Sequence, residues 1–588
     1  MRAAGRGRAW LFVRLVVVAL LVAGGLGTDL VVAARPAYAH AYLLETSPVD
    51  GEVLASAPGE MRLRFDEAVS FNQRSIQLLD VTAKKLPIGT PGHVEGKANT
   101  ARVSLPADLA EGTYVVAWRV TSADSHVVAG AFSFSVGHPS AVAAPVEPDA
   151  SRVIPVVDGI GRAVAFLGMA LAVGGALFVV VLWPAGRGTR RGRRVVWSGF
   201  GALIVGTLAV LLVQGPYAAG TSLAGVFDPD LLGTTLSTRL GHALVARLVI
   251  VLALGVLFGL AVRPAAPSAG AEVAGGAGRA ALPVAAAVGA VALTLTWTLA
   301  DHAQTGVQTW VAVPAASLHL LAMALWLGGL VLLVAGVLVP GGGRAPGGVL
   351  SLAPVLPRFS RLAEICFAVI AVTGGYLAWR QVGTWAALVA TDFGRLLLGK
   401  VAAVLVVVGL AAGARRFVRR RRGGPLDAVP VVAVRRLRRS VAGEVVLGVV
   451  VVSITAVLVN TVPARISYAP PVQVTVPVPA GDEAGEAVGL RGGSVEVTIE
   501  PARSGSNVAD IYLTGQDGSL VAVPEISAEL QSPDRSVTAL PVTVSAAEPG
   551  HYVAYAMSVP FPGSWVLRLN IRISDFDETP VRVPFTAR

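Results

Sequence analysis

Eight stretches of about 20 or more mostly apolar residues decide what this 588-residue chain can fold into. They lie near 157–183, 195–216, 241–262, 281–300, 311–339, 361–382, 394–414 and 441–462. Each is long enough to cross a bilayer as a helix, the one open-ended element that satisfies its own backbone in lipid. Hydrophobic residues make up 54% of the chain and charged ones 14%, with a mean hydropathy of +0.66, so much of the molecule belongs in lipid. A net charge of +11 would suit nucleic acid, but its placement excludes that partner. Arg187, Arg190, Arg191, Arg193 and Arg194 crowd the loop after the first span. Arg415, Arg416, Arg419, Arg420, Arg421, Arg422, Arg435, Arg436, Arg438 and Arg439 crowd the one after the seventh. Basic loops between apolar spans mark the cytoplasmic side of a membrane. Loops after the second, fourth and sixth spans are poor in Lys and Arg and carry Asp228, Asp230, Asp301 and Asp392. The expectation is an eight-helix bundle, multi-pass in the cytoplasmic membrane, with both soluble parts outside the cytoplasm.

Residues 1–39 read as a secretory leader: Arg2, Arg6 and Arg8, an apolar run from Trp10 to Ala34, then Ala37-x-Ala39. Retention of 10–34 as a ninth helix is the alternative. Cleavage after Ala39 makes His40 the first residue, with an α-amine and an imidazole in one chelate. Nitrogen donors of this kind suit Cu(II). A second pair, Asp124 and His126, precedes the alternating run Ala131 to Val136. Residues two apart in extended chain point the same way, so both could face one ion. An Asx-turn at Asp124 with an exposed His126 is the competing reading.

Residues 40–138 resemble the CopC copper-resistance family along their length. The matching motifs are His40-Ala41-Tyr42-Leu43, Ser47-Pro48-x-Asp50-Gly51, Leu63-x-Phe65-x-Glu67-x-Val69, Asp124-x-His126 and Gly130-x-Phe132-x-Phe134-x-Val136. The resemblance implies a β-sandwich of the immunoglobulin or cupredoxin kind that binds Cu(II) through His40, Asp124 and His126. Met61, in a strand pattern with Leu63 and Phe65, reads as core rather than as a Cu(I) ligand. The membrane block resembles the CopD family, most closely over 310–462. Its matching motifs are His319-x3-Met323-x2-Trp326-x-Gly328-Gly329, Phe359-Ser360-Arg361, Thr373-Gly374, Thr391-Asp392-Phe393-Gly394-Arg395-x4-Lys400 and Arg438-Arg439-Ser440-x3-Glu444. That resemblance implies copper passage across the inner membrane.

Polar residues inside a membrane are costly and point to function. Most fall in the outer half of the spans: Arg162, Gln214, His242, Arg247, Asp301, His302, His319 and Lys400. His319, Met323 and Trp326 share one helical face. We expect His302, His319 and His242 to form an outer copper-receiving site, with Met323 below as a softer ligand suited to Cu(I). Met169 and Cys366 read as packing, Arg247 and Lys400 as structural, and Glu364 and Glu444 as partners of loop arginines.

Residues 139–155 and 463–491 read as linkers around a membrane domain at 156–462. Alternating strands from 492 to 588, among them Trp565-x-Leu567-x-Leu569-x-Ile571, read as a second extracytoplasmic β-sandwich resembling the YtkA/FixH type. Pro541 demotes its strand to a sheet edge. His551 and Met557 read as surface and core. No phosphate-binding Walker loop is present, so ATP-driven pumping is not expected, nor is an enzyme. The reading is a three-part protein that binds copper outside and carries it inward. The alternatives are a membrane redox protein holding haem or reducing copper, and a non-transporting copper buffer or sensor.

Overall fold

The computed structural model describes residues 41, 43–122, 127–140, 153–263, 275–300, 308–339, 352–420, 431–478, 490, 492–533, 537–560, 562–573 and 578–587. The expected leader lies outside them, as do His40, Asp124, His126 and His302.

The N-terminal sandwich follows from strand alternation. Met61, Leu63 and Phe65 point to one face of their strand, and all three are fully buried. One sheet has the order β1-β3-β7-β6, with β1 Leu43–Ser47, β3 Glu60–Phe65, β6 Gly92–Val94 and β7 Lys97–Ser104. The other runs β2-β9-β8-β4-β5, with β2 Glu52–Leu54, β4 Ile76–Leu79, β5 Lys85–Leu86, β8 Gly112–Thr121 and β9 Val127–Val136. Phe65 and Trp118 meet edge to face across the core, ring centres 5.3 Å apart. Gly130 opposite Trp118 is required there, because a Cβ would lie 2.8 Å from the indole Cε2. Leu43 pairs with Phe65, Asn99 donates to the Phe65 carbonyl, and Ser70 exchanges backbone bonds with Thr121. The start of β1 and the end of β8 therefore share one end of the sandwich.

The chain is a multi-pass membrane protein. Its helices are α1 Val153–Leu182, α2 Arg190–Ala219, α3 Pro229–Ser237, α4 Arg239–Ala261, α5 Gly275–Thr298 and α6 Thr309–Val337. Then come α7 Leu352–Val382, α8 Trp385–Ala390, α9 Asp392–Arg420, α10 Val431–Val459 and α11 Ala464–Ser467. Seven are long and apolar enough to span: α1, α2, α4, α6, α7, α9 and α10. The expected span at 281–300 lies in α5, whose stretch Leu282–Thr298 is, among the described residues, a shorter apolar helix. Small residues let the helices touch. Gly161 lies against Ala209 and Val210, and Gly206 against Ala165, which sets α1 antiparallel to α2. Where α6 crosses α1, a side chain at Gly174 would collide with the Ala324 carbonyl, and one at Gly328 with the Ala170 carbonyl. α1 widens into π-helical turns at Ala170–Gly174 and Phe178–Leu182 around that crossing.

Arg119 of β8 and Arg74 of the N-terminal sandwich contact the end of α2 and the segment after it. This end of the bundle, the sandwich side, also carries the ends of α7 and α10. The opposite end carries the arginine-rich segments.

The C-terminal sandwich has sheets ordered β10-β11-β12-β16-β15 and β14-β13-β17-β18. Its strands are β10 Val472–Pro477, β11 Ser494–Glu500, β12 Gly505–Thr514, β13 Glu525–Ser532, β14 Val537–Val542, β15 Ser545–Glu548, β16 His551–Val559, β17 Gly563–Arg572 and β18 Glu578–Ala587. Trp565, Leu567, Leu569 and Ile571 on β17 are all fully buried. Pro541 sits on β14, an edge strand, where its missing N–H costs no ladder bond.

Candidate functional site

His319 lies on α6 about 15 Å from the helix start, at 1.5 Å per residue. Its Nδ1 is 3.0 Å from Thr373 Oγ1 on α7. That hydroxyl donates its only proton to the Val369 carbonyl one turn back, at 2.6 Å. Thr373 must therefore accept from His319, which places the imidazole proton on Nδ1. The Ile370 carbonyl also faces this imidazole. Nε2 is left unprotonated, with a lone pair to offer a metal ion. Gly374 makes room for the ring, since a Cβ there would stand 3.0 Å from His319 Cε1. Lys400 on α9, half-buried and without an ion pair among the described residues, lies within electrostatic reach of this imidazole. Met323, four residues deeper on α6, is half-buried against the bundle core beside Trp326.

The other expected ligands are placed differently. His242 is exposed on the first turn of α4. No group of three or more His, Cys, Asp and Glu side chains comes together among the described residues. There His319 gathers Thr373, Gly374 and Lys400 rather than a second imidazole. His40, Asp124, His126 and His302 lie outside those residues.

Several motif residues turn out to be architectural. Gly328 lies at the α1–α6 crossing, and Gly329 lies under the Phe359 ring, which in turn packs edge to face on Phe178. Thr391 caps α9 by accepting from Gly394 N at 3.1 Å, while Arg395 reaches back to the Val389 carbonyl at 3.2 Å. Met61, Met169 and Met557 are fully buried, and Cys366 is buried. Arg247 donates to Thr296 Oγ1 and its carbonyl, both at 3.0 Å, and stacks 3.6 Å over Trp297. His551 bonds Asp510 at 2.9 Å and stacks on Tyr512. Glu364 pairs with Arg415 at 3.3 Å as expected. Glu444 does not: it is buried, its Oε1 lacks a hydrogen-bond partner, and no ion pair forms among the described residues.

A second polar cluster groups Arg162 and Gln214 with two residues that the sequence did not single out, Asp158 and Asn460. Asp158 on α1 is 1% exposed, and its Oδ2 accepts from Arg162 Nε and from Asn460 Nδ2, both at 2.7 Å. Among the described residues its Oδ1 has no hydrogen-bond partner, and neither does Oε1 of buried Gln214 on α2. The i, i+4 spacing of Asp158 and Arg162 was the available signal. Asn460, 302 residues away, gave none.

Two family profiles match: the CopC domain at residues 43–137 and Copper resistance protein D at residues 353–458. Copper transport protein CutJ of Bacillus subtilis (strain 168) is 25% identical over 562 residues, covering 94% of this chain and 96% of that protein. Copper resistance protein C of Xanthomonas campestris pv. juglandis is 34% identical over 112 residues, 18% of this chain and 85% of its own. The crystal structure of CopC from Methylosinus trichosporium OB3b aligns over 95% of its length and 17% of this chain, at 32% identity and a TM-score of 0.15.

Proposed function

Because this chain belongs to the copper-resistance family that joins a CopC domain to a CopD membrane domain, we propose that it captures copper outside the cytoplasmic membrane and passes it inward. Copper is the cargo. Capture falls to His40, Asp124 and His126, whose nitrogens and carboxylate suit the tetragonal N/O surroundings of Cu(II). Passage runs by His319, with Met323 one turn deeper as a softer donor. The observation that carries this reading is the His319–Thr373 hydrogen bond. It holds the ring in one tautomer and leaves Nε2 free inside a membrane helix, where an idle polar group is costly. The inward direction rests on two features. The N-terminal sandwich meets the end of the bundle nearer His319 and Asp158, and the arginine-rich segments at the far end mark the cytoplasm.

Copper accumulation in cells tests this, comparing the intact chain with His319→Ala and His302→Ala at matched membrane levels. The intact chain should raise cellular copper, and His319→Ala should return it to background. A fall in cellular copper on expression would reverse the direction. Unchanged accumulation with His319→Ala would reduce that residue to packing. A Soret band in the purified protein would favour the haem-bearing alternative.

A further inference from the structure

The N-terminal sandwich does not hang free on its linker. Arg119, two residues before the end of β8, places Nη1 3.5 Å from the Tyr217 carbonyl in the last turn of α2. The α2 cap is Gly220, with φ +63°, and a Cβ there would stand 2.8 Å from Arg119 Nη1. Only glycine combines that left-handed turn with room for the guanidinium. Beside it, Arg74 Nη2 stands 3.6 Å from Asp228 Oδ2, the residue that caps α3. Both arginines lie at the end of the sandwich where Ser70 pairs with Thr121. Tyr217 in turn lies within the fields of Arg119, Asp158 and Arg162. The α1–α2 contacts at Gly161 and Gly206 set Gln214 close to the level of Asp158 on the neighbouring helix. The oxygens of these two side chains that lack a partner among the described residues thus lie towards the same end of the bundle as the contact, and oxygen donors suit an incoming divalent ion.

We propose that Arg119 is a positioning residue: seated on Gly220 and Tyr217, it holds the end of β8 at the end of α2, near Asp158 and Gln214, so that copper passes within one chain instead of through bulk water. This deepens the transport reading and rests on it. A fixed contact raises the effective concentration of donor at acceptor, an advantage that disappears when external copper is plentiful.

The test uses the full chain in membranes with Cys366→Ala. A short bismaleimide should join Arg74→Cys to Asp228→Cys. It should not join Glu111→Cys to Asp228→Cys, because Glu111 precedes the opposite end of β8. Adding Arg119→Glu, which sets a carboxylate against the Tyr217 carbonyl, should cut the cross-link several-fold. The same substitution should leave the Cu(II) EPR spectrum of the full chain unchanged. Accumulation at limiting copper should fall about tenfold, recover at high copper, and survive in Arg119→Lys. Absence of the Arg74–Asp228 cross-link would remove the docking contact. Loss of the cross-link with undiminished accumulation at limiting copper would overturn the positioning role and leave the transport reading intact. No accumulation by the unmodified chain would remove that reading, while the cross-link still judged the contact.

Discussion

His319 Nδ1 donates to Thr373 Oγ1 across 3.0 Å, and the threonine can accept because its own proton is spent on Val369. If His319 ligates copper as proposed, the threonine acts on the metal through the imidazole, as outer partners of ligating histidines do. Thr373→Val keeps shape but removes the acceptor, freeing the ring to change tautomer and turn. Copper accumulation should fall by about 10–100-fold at equal protein level, the usual penalty for losing such a partner. Thr373→Ser should retain most of it. Equal accumulation in all three chains would detach Thr373 from the site.

The proposed N-terminal copper site requires a free α-amine at His40. A sandwich beginning at His40 should bind one Cu(II) tightly, and one residue added before His40 should weaken binding sharply. The fold is untouched in that comparison, because the addition precedes β1. Asp124→Ala and His126→Ala should each shift the EPR parameters while moving apo thermal stability by less than about 0.5 kcal/mol, as surface changes do. Titration of the four proteins checks both statements.

Legibility in the sequence followed the range of the interactions. Strand alternation made Met61, Leu63, Phe65 and the Trp565–Ile571 row readable as core, and Pro541 readable as an edge. Local helical spacing put His319, Met323 and Trp326 on one face. It could not show that Thr373, 54 residues away, fixes the imidazole, nor that Asn460 completes Asp158. Such partners meet through helix packing, which hydropathy does not encode. The same limit explains Glu444. Nearness to an arginine run suggested an ion pair, yet packing turns its carboxylate into the bundle. Nor could helical spacing show that His242 is exposed on the first turn of α4, since membrane depth is legible in a sequence but helix rotation is not.

Gly328 stands where the backbones of α6 and α1 come closest, and a side chain there would run into the Ala170 carbonyl and lie 2.8 Å from Gly175 N. Neither neighbour is a flexible side-chain end, so strain cannot be relieved locally. Gly328→Val should destabilise the bundle by at least about 1–3 kcal/mol, the ordinary cost of overpacking. Gly375→Ala, with open space around it, should be tolerated. Thermal unfolding in detergent should rank intact chain and Gly375→Ala together, with Gly328→Val well below.

Asp50 ties the turn before β2 to β9: it accepts from Ser133 N at 2.8 Å and from Ser133 Oγ at 3.3 Å. Burial pushes its carboxyl above the ordinary value of 3.8, outweighing those hydrogen bonds, which act the other way. Below 3.8 both native and unfolded chains hold the proton, and the shift contributes nothing. Between 3.8 and the raised native value the unfolded chain ionises first, so the native state binds more protons and stability falls as pH rises. Above the native value the loss is complete and constant. Asp50→Asn keeps an oxygen to accept from Ser133 N and cannot ionise. It should therefore be at least as stable as the parent at pH 7, with the gap in its favour narrowing as the pH is lowered towards 3.8. Thermal unfolding of residues 40–138 with and without the substitution, from pH 3 to 7, gives the sign directly. A variant weaker at pH 7 whose deficit disappears in acid would mean that the ionised carboxylate supports the fold, and that Ser133 rather than burial sets its protonation.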